Sequence, residues 1–326
     1  MSDMATILVG DIGGTNARFA LAEASAGGLL VKHIWKRRGE DFATFDAAID
    51  AFRKDVPAKI DGVSLGVAGP VRDDRAQLLH RDWSIDGPHL AGRLGVARAV
   101  IVNDFMPMAR SAPDLPAGDL REITPGDADP GGAVAVGGPG TGFGLAVLRR
   151  IGKSGWVVIG GEGGHQAFAP QSRFEWEVAE RLSKSVGYVS NEIVAAGAGF
   201  EATLAAVADV MGQEREPLTP ADVEARAAKG DPLSLEMCRL RAATVMTALG
   251  DAVLSVNATG GVFVAGGVAV KLQPYLKEEE ALARFYERGP RRDLMSRIPI
   301  KMIVSEEAPL LGAARLWLDD RARGWL

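Results

Sequence analysis

The sequence predicts an α/β protein of two domains. The chain has 326 residues, roughly twice the length of an average domain of about 150 residues. Strand patterns alternate with amphipathic helix patterns in the first half. A glycine-rich turn between two strands occurs near the start of each half, at 11–15 and at 138–142. This echo suggests a duplicated unit with a cleft between the copies, although two such hairpins also arise by chance.

The first half is predicted to hold a mixed sheet. Apolar runs predict strands over 5–10, 17–22, 29–35, 63–68 and 99–102. Phe42, Phe45, Ile49 and Phe52 recur at helical spacing and predict a helix over 41–55. A shorter helix is predicted over 85–94. This order of elements is typical of an α/β domain. The stretch 113–132 is rich in Pro, Gly and Asp and indicates a linker or long loop.

The second half is predicted to be mostly helical around a few strands. A strand is expected over 143–149, several helices within 173–229, and one long helix over 231–256. Further strands are expected over 261–265 and 300–304. Pro309 begins a last helix, predicted through Leu318, because proline is favoured at the first position of a helix.

Composition narrows the function classes. Lys plus Arg number 37 against 42 Asp plus Glu, a net charge of −5, which argues against a nucleic-acid partner. Cys238 is the only cysteine, so an intrachain disulfide and an all-cysteine metal site are excluded and a reducing compartment fits. Neither a membrane-length apolar run nor a signal-peptide pattern is found. We therefore expect a cytoplasmic protein without a membrane partner.

The first motif lies between two predicted strands. Asp11 at a strand end can hold a hydrated Mg²⁺ ion. Gly13 and Gly14 let the backbone approach a phosphate and aim N–H groups at it. Thr15 and Asn16 add neutral hydrogen-bonding groups. The alternative is an ordinary hairpin turn, which a Gly-Gly pair also favours.

Two other motifs, a P-loop for nucleotides and a nucleophile elbow, are matched only in part. The string Gly152-Lys153-Ser154 imitates the end of a P-loop, but Val147 stands where the first glycine is required. The string GVSLG over 62–66 matches a nucleophile elbow. Its serine lies inside a predicted strand, however, and no helix follows it, so a hydrolase is disfavoured.

Two further strand ends carry polar groups. Asn103 and Asp104 follow a strand, where open α/β sheets bind ligands. Asp104 is a candidate general base, and capping of the next helix is the alternative for this pair. Glu162 and His165 lie on a glycine-rich loop and can hydrogen-bond polyol hydroxyls. A zinc site there lacks ligands, and a structural histidine is the alternative.

Two more glycine-rich strand ends are places where backbone can approach a nucleotide. They contain Gly140, Thr141 and Gly142, and Gly266 and Gly267. Each is equally consistent with a simple turn.

Together the strings DIGGTNARFAL, VAGP, NDF, GPGTGFG, GEGGHQAFAP and FVAGG resemble bacterial glucokinases of the hexokinase superfamily, in the same order. The resemblance covers about residues 6–318. The related repressor-and-kinase sugar family typically carries a zinc-binding cysteine cluster, which one cysteine cannot supply. The chain therefore resembles the zinc-free glucokinase group.

The resemblance implies an actin-like ATPase (ribonuclease H-like) fold of two α/β domains with an interdomain cleft. The small domain would span 1–110, with a final helix over 305–326 packing back on it, and the large domain would span 111–304. The implied reaction transfers the γ-phosphoryl group of ATP, with Mg²⁺, to the 6-hydroxyl of D-glucose. A homodimer is also implied.

The resemblance further implies roles for single residues. The sugar would be held by Asn103, Asp104, Glu162, His165 and Glu192. Asp104 would accept the proton of the 6-hydroxyl, and Asp11 would hold Mg²⁺ directly or through water. The three glycine-rich loops would contact the nucleotide. His80 stands where family members often carry Asn. A kinase for another sugar and a non-enzymatic sugar sensor remain alternatives.

Overall fold

The computed structural model describes residues 5–26, 28–78, 81–152 and 155–326. His80, and Lys153 and Ser154 of the P-loop-like string, lie outside the described residues. The chain forms two compact units. The first comprises Met1–Pro116, Leu148–Gly160 and Ser305–Leu326, and the second comprises Ala117–Val147 and Gly161–Val304.

The strands, in chain order, are β1 (Ala5–Ile12), β2 (Asn16–Ser25), β3 (Gly28–Arg38), β4 (Gly62–Val67), β5 (Val71–Arg72), β6 (Arg75–Gln77), β7 (Ser84–Asp86), β8 (Ala99–Asn103), β9 (Leu120–Thr124), β10 (Val134–Pro139), β11 (Phe143–Arg150), β12 (Trp156–Gly161), β13 (Val262–Val264) and β14 (Ile300–Ile303).

The α-helices are α1 (Phe45–Asp55), α2 (Gly87–Leu94), α3 (Phe105–Ser111), α4 (Arg173–Val186), α5 (Asn191–Ala195), α6 (Phe200–Met211), α7 (Pro220–Ala227), α8 (Pro232–Val256), α9 (Gly267–Lys271), α10 (Gln273–Leu276), α11 (Glu279–Tyr286), α12 (Arg292–Met295) and α13 (Ala308–Arg323). Single turns of 3-10 helix occur at Gly39–Asp41, Ala112–Asp114, Ala117–Asp119, Gly163–His165 and Gly289–Arg291.

The main sheet of the first unit is mixed, in the order β3-β2-β1-β4-β8. β1 pairs antiparallel with β2 and parallel with β4, and β4 pairs parallel with β8. Alternate residues of β1 enter two different cores, because successive side chains of a strand point to opposite faces. Leu8 and Ile12 pack in one core, and Ile7 and Val9 pack in the other.

The last helix, α13, covers one face of this sheet. Its buried Trp317 shares a core with Ile7 and Val9. Gly62 makes this possible, because a Cβ atom there would lie 2.1 Å from the Trp317 ring. Gly312 lets α13 approach α3 equally closely, since a Cβ atom there would lie 1.7 Å from the carbonyl oxygen of Pro107.

The second unit packs its strands around a long buried helix. The strand order runs β11-β10-β13-β14-β9, with β10, β13 and β14 parallel and β9 antiparallel to β14. The helix α8 is buried along most of its length, as expected for a helix that is apolar on most sides. Asp231 caps it by accepting a hydrogen bond from the Ser234 amide at 2.9 Å, and Pro232 occupies its first turn.

The predicted mixed α/β organisation with a long C-terminal-half helix is confirmed, with local corrections. The stretch 113–132, predicted as a loop, contains β9, whose pairing partner β14 lies far along the chain. The predicted helix over 85–94 begins as strand β7. The final helix, Ala308–Arg323, ends five residues beyond the end predicted from the local pattern and lies within the range 305–326 that the resemblance implies. Within the described residues, no helix combines the length and apolar character needed to cross a membrane.

Candidate active site

The carboxyl ends of β1, β4 and β8 bring three predicted site residues to one edge of the first sheet. Asp11 lies opposite Gly66 of β4, and Asn103 lies opposite the next residue, Val67. Asp104 follows Asn103 directly and donates its backbone N–H to the Val67 carbonyl at 3.0 Å. The parallel register therefore groups Asp11, Asn103 and Asp104, as expected for a ligand site in an α/β sheet.

Asn103, not Asp104, caps helix α3. The Asn103 side-chain Oδ1 accepts the Phe105 N–H at 3.0 Å, and its Nδ2 donates to the Gly69 carbonyl at 3.3 Å. Asp104 occupies the residue before the helix but makes no side-chain capping hydrogen bond. The capping interpretation thus holds for Asn103, whereas the Asp104 side chain makes no capping hydrogen bond.

The Asp104 carboxyl is unusually basic. Burial, and secondarily the negative charge of Asp11, raise its pKa from 3.8 to about 6, against a smaller opposing effect of the Phe105 and Asp104 amides. Gly66 lets β4 pack close to this residue, because a Cβ atom there would lie 3.2 Å from the Asp104 Cα. A carboxylate with such a pKa is ionised at neutral pH and is still a useful proton acceptor.

The loop after β1 is a tight turn beside a paired carboxylate. The Gly13 N–H donates to the Asn16 carbonyl at 3.0 Å. Across the hairpin, Arg18 donates both Nε, at 2.9 Å, and Nη2 to the same Asp11 oxygen, Oδ2. Arg18 also donates to the Glu306 carbonyl at 2.8 Å. The charge of Asp11 is therefore partly neutralised by a partner that the sequence analysis did not assign to it.

Asp11 still fits a hydrated Mg²⁺ ion as a single ligand. Both Arg18 donors use Oδ2, so Oδ1 remains for a metal or a metal-bound water. Mg²⁺ typically takes one or two carboxylates and completes its shell with water and substrate phosphates. Among the described residues, no group of three His, Cys, Asp or Glu side chains is placed to hold a metal.

In the second unit, the structure brings together Glu162, His165 and Glu192. The His165 Nε2 lies 3.9 Å from Glu162 Oε2 and 3.9 Å from Glu192 Oε1. These separations exceed hydrogen-bond length, so the facing atoms are not bonded to each other. Glu192 is held in place because its Oε2 accepts the Phe143 N–H at 2.7 Å. Glu162 and His165 are exposed, at 87% and 59% of their side-chain surface.

Glycines place this cluster against β11. A Cβ atom on Gly163 would lie 2.1 Å from the Leu145 side chain, and one on Gly164 would lie 2.2 Å from the Phe143 carbonyl. The adjoining segment is tied by Asn191, whose N–H donates to the Gln166 carbonyl at 2.9 Å. The loop can therefore lie flat on the strand only with glycine at both positions.

The two remaining glycine-rich loops, 140–142 and 266–267, lie next to each other through their backbones. Gly266 has φ of 105°, and a Cβ atom there would lie 2.3 Å from the Pro139 carbonyl. The carbonyls of Gly140 and Thr141 accept the N–H groups of Gly197 and Ala198 at 3.0 and 2.9 Å.

Gly142 joins these loops to the polar cluster. A Cβ atom there would lie 2.7 Å from Glu192 Oε2. The predicted site residues thus form one group in each unit. In the first unit they are Asp11, Gly13, Gly14, Thr15, Asn16, Asn103 and Asp104; in the second they are Gly140, Thr141, Gly142, Glu162, His165, Glu192, Gly266 and Gly267.

A family model described as glucokinase matches residues 8–320. The chain belongs to the glucokinase family. Ser64 of the elbow-like string lies inside β4 and is fully buried, consistent with this assignment and not with a hydrolase nucleophile. The resemblance drawn from the motifs is confirmed, and membership indicates an ATP-dependent sugar kinase.

Individual glucokinases match over nearly the whole chain. A glucokinase of Nitrobacter hamburgensis is 34% identical over 316 residues, which cover 96% of this chain and 97% of the relative. The crystal structure of a glucokinase from an Antarctic psychrotroph has a TM-score of 0.88 at 30% identity, covering 96% of this chain and 98% of the other. A glucokinase of Balamuthia mandrillaris, solved in complex with glucose, has a TM-score of 0.78 at 20% identity, covering 97% and 94%. This last likeness shows the fold alone.

Proposed function

We propose that this chain transfers the γ-phosphoryl group of ATP to the 6-hydroxyl of D-glucose, giving glucose 6-phosphate and ADP. The observation that carries the proposal is the Asp104 carboxylate, which makes no side-chain capping hydrogen bond and has a pKa of about 6. Membership of the glucokinase family supports the reaction. The 34% identity with the glucokinase of Nitrobacter hamburgensis supports the sugar.

Asp104 acts as the general base in this proposal. As the sugar O6 attacks the γ-phosphorus, its proton passes to the Asp104 carboxylate, the new O–P bond forms and ADP leaves. A pKa of about 6 keeps the group ionised at neutral pH and closer to the ideal of a base matched to the working pH. Little other covalent chemistry is required of the protein, because phosphoryl transfer depends mainly on positioning and charge stabilisation.

The remaining sugar hydroxyls are assigned to Asn103, Glu162, His165 and Glu192. Asn103 uses Oδ1 for the Phe105 amide and one N–H for the Gly69 carbonyl, which leaves a second N–H for a sugar oxygen. The facing atoms of His165 and the two glutamates are 3.9 Å apart and so remain available to hydroxyls. A wrong epimer would leave such groups unpaired, which is costly.

The glycine-rich loops are assigned to the phosphates of ATP. The Gly13 and Gly140 N–H groups close their own turns by donating to the Asn16 and Gly142 carbonyls. The following N–H groups, of Gly14–Asn16 and of Thr141 and Gly142, suit anionic oxygens. Gly266, followed by Gly267, adjoins the second loop. Asp11 would hold Mg²⁺ directly or through water. When bound, Mg²⁺ neutralises charge that develops on the phosphates.

The proposal includes the wider setting that the resemblance implies. It comprises an actin-like ATPase fold with a cleft between a small domain over 1–110, joined by the helix 305–326, and a large domain over 111–304. It also comprises a homodimer acting in the cytoplasm. Closure of such a cleft would exclude water, which competes with the sugar as phosphoryl acceptor.

A coupled ADP-release assay tests the proposal. The purified chain is given ATP and Mg²⁺ with glucose, mannose, fructose, N-acetylglucosamine or no sugar, and glucose binding is measured separately by calorimetry. We expect the highest kcat/KM with glucose and only slow ADP release without sugar. Preference for another sugar would make the chain a kinase of different specificity. Glucose binding without ADP release would make it a sensor.

A further inference from the structure

We propose that Arg81 is a positioning residue for the phosphate loop, defined as Gly13–Thr15, and supplies a positive charge beneath it. This inference rests on the proposed function, because it assigns the loop to the phosphates of ATP. Arg81 lies outside the strings that carry the family resemblance and belongs to none of the glycine-rich motifs.

Arg81 holds the loop by its backbone. Its Nη2 donates to the Gly14 carbonyl at 3.0 Å and lies 3.4 Å from the Thr15 carbonyl. Its guanidinium carbon lies 4.6 Å from the centre of the Trp83 ring, and Trp83 is buried. The Trp83 ring therefore packs against one face of the guanidinium, and the Nη2 edge of the guanidinium hydrogen-bonds the loop.

The hydrogen bonds from Arg81 determine in which direction the N–H groups of the loop point. In a trans peptide the carbonyl and the following N–H point in opposite directions. Because the Gly14 and Thr15 carbonyls turn toward Arg81, the N–H groups of Thr15 and Asn16 turn away from it. Gly39 reinforces this, since its N–H donates to the Thr15 carbonyl at 2.9 Å. Two successive N–H groups on one side of a turn suit an anion.

The charge of Arg81 is not neutralised within the described residues. Its Nη1 is buried and has no hydrogen-bond partner there, whereas Arg18 is paired with Asp11. A buried guanidinium N–H group without an acceptor, on a cation without an ion-pair partner, is unfavourable. An anion held on the loop would reduce that cost, so polyphosphate binding and the Arg81 charge should favour each other.

Gly39 leaves the room that the guanidinium needs. A Cβ atom on Gly39 would lie only 1.1 Å from Arg81 Nη1. Alanine at this position would have to displace the guanidinium while leaving Arg81 itself intact. Gly39→Ala is therefore a second way to release the loop.

The variants to compare are Arg81→Met, Arg81→Lys, Gly39→Ala and the control Arg37→Met. Methionine keeps an apolar stem against Trp83, and lysine restores the charge without the planar fork. Arg37 is a matched control because it also stacks on a tryptophan, 4.9 Å from the Trp35 ring, but its side chain donates to the Lys36 carbonyl and not to the loop.

Two readouts are needed for each variant. Steady-state kinetics give separate KM values for ATP and glucose, and calorimetry gives the Kd of inorganic tripolyphosphate. We expect Arg81→Met and Gly39→Ala to raise KM for ATP and the tripolyphosphate Kd about tenfold, the worth of one charge-assisted hydrogen bond. KM for glucose should stay within about twofold. Arg81→Lys should recover part of the loss, and Arg37→Met should match the parent.

Three results would overturn the inference. They are an unchanged KM for ATP in a folded Arg81→Met protein, equal weakening of both substrates, and an unchanged tripolyphosphate Kd. The last result is independent of the reaction. If the parent released no ADP with any sugar, the proposed function would fail, while the tripolyphosphate comparison would still decide the role of Arg81.

Discussion

Replacing Asp104 with Asn should slow the enzyme and stabilise it at the same time. The two side chains have nearly the same shape, and Asp104 makes no capping bond that could be lost. A rise in pKa from 3.8 to about 6 means that the ionised carboxyl costs the folded state up to about 3 kcal/mol, at 1.36 kcal/mol per pH unit. Asparagine removes that cost. It also removes the base, which should lower kcat by about 10²–10⁴-fold.

The sign of the pH dependence follows from the raised pKa. Below pH 3.8 the carboxyl is protonated in both the folded and the unfolded states, and the cost is absent. Between 3.8 and about 6 the folded state holds the proton more tightly. The stability advantage of Asp104→Asn should therefore grow as pH rises through this window and stay constant above it. The parent's kcat/KM should fall below about pH 6 as the base becomes protonated.

The measurements are urea unfolding between pH 4 and pH 8, ADP release over the same range, and calorimetric binding of glucose. Asp86→Asn is the control, because Asp86 caps helix α2 through the His89 N–H and its pKa is lowered, chiefly by that bond. Asparagine can keep the cap but loses the charge that pairs with Arg75, so Asp86→Asn should lose a little stability, not gain it, and keep kcat. A folded Asp104→Asn protein that binds glucose and turns over near the parental rate would refute base catalysis. Equal stability of the two proteins across the range would refute the argument from burial.

Three further outcomes are expected. Asp11→Asn should move the acidic limb of the pH–rate profile to lower pH, because the Asp11 charge helps to raise the Asp104 pKa. It should also raise the Mg²⁺ concentration needed for activity. An unmoved limb and an unchanged Mg²⁺ titration would contradict these expectations. Glu162→Gln should raise KM for glucose at least about tenfold with little effect on KM for ATP, and the exposed Glu180→Gln should change neither. Gly266→Ala should lower the free energy of unfolding by about 2 kcal/mol or more, measured by urea denaturation, since φ is 105° and a Cβ atom would lie 2.3 Å from a carbonyl oxygen.

The local patterns of the sequence predicted all five strands of the main sheet of the first unit, with ends up to three residues from the observed ones. Asp11 and Asn103 were each predicted to lie at a strand end, and the register places their partners one residue apart along β4. Glycines marked the loops because close backbone contacts, such as that of Gly266 with the Pro139 carbonyl, leave no room for a side chain.

Features that depend on partners distant in sequence could not be predicted in the same way. Strand β9 was missed because its polar, glycine-rich surroundings indicate a loop, and only pairing with β14 makes it a strand. Arg81 could not be connected to Gly14, 67 residues earlier, because no local pattern encodes that contact. Asn103 and Asp104 are equally good caps by residue type, so only the geometry assigns the role to one of them.

That assignment bears on why the two residues stand side by side. A helix N-terminus offers N–H donors, and a carboxylate that accepted one would have its pKa lowered, which weakens it as a base. The Asn103 side-chain Oδ1 accepts the Phe105 N–H at 3.0 Å, and the lowering effect of the Phe105 amide on the Asp104 pKa is smaller than the effects that raise it. Burial, and then the charge of Asp11, raise the Asp104 pKa to about 6. The neutral amide thus satisfies the helix, and the carboxylate next to it is left basic enough to take a proton.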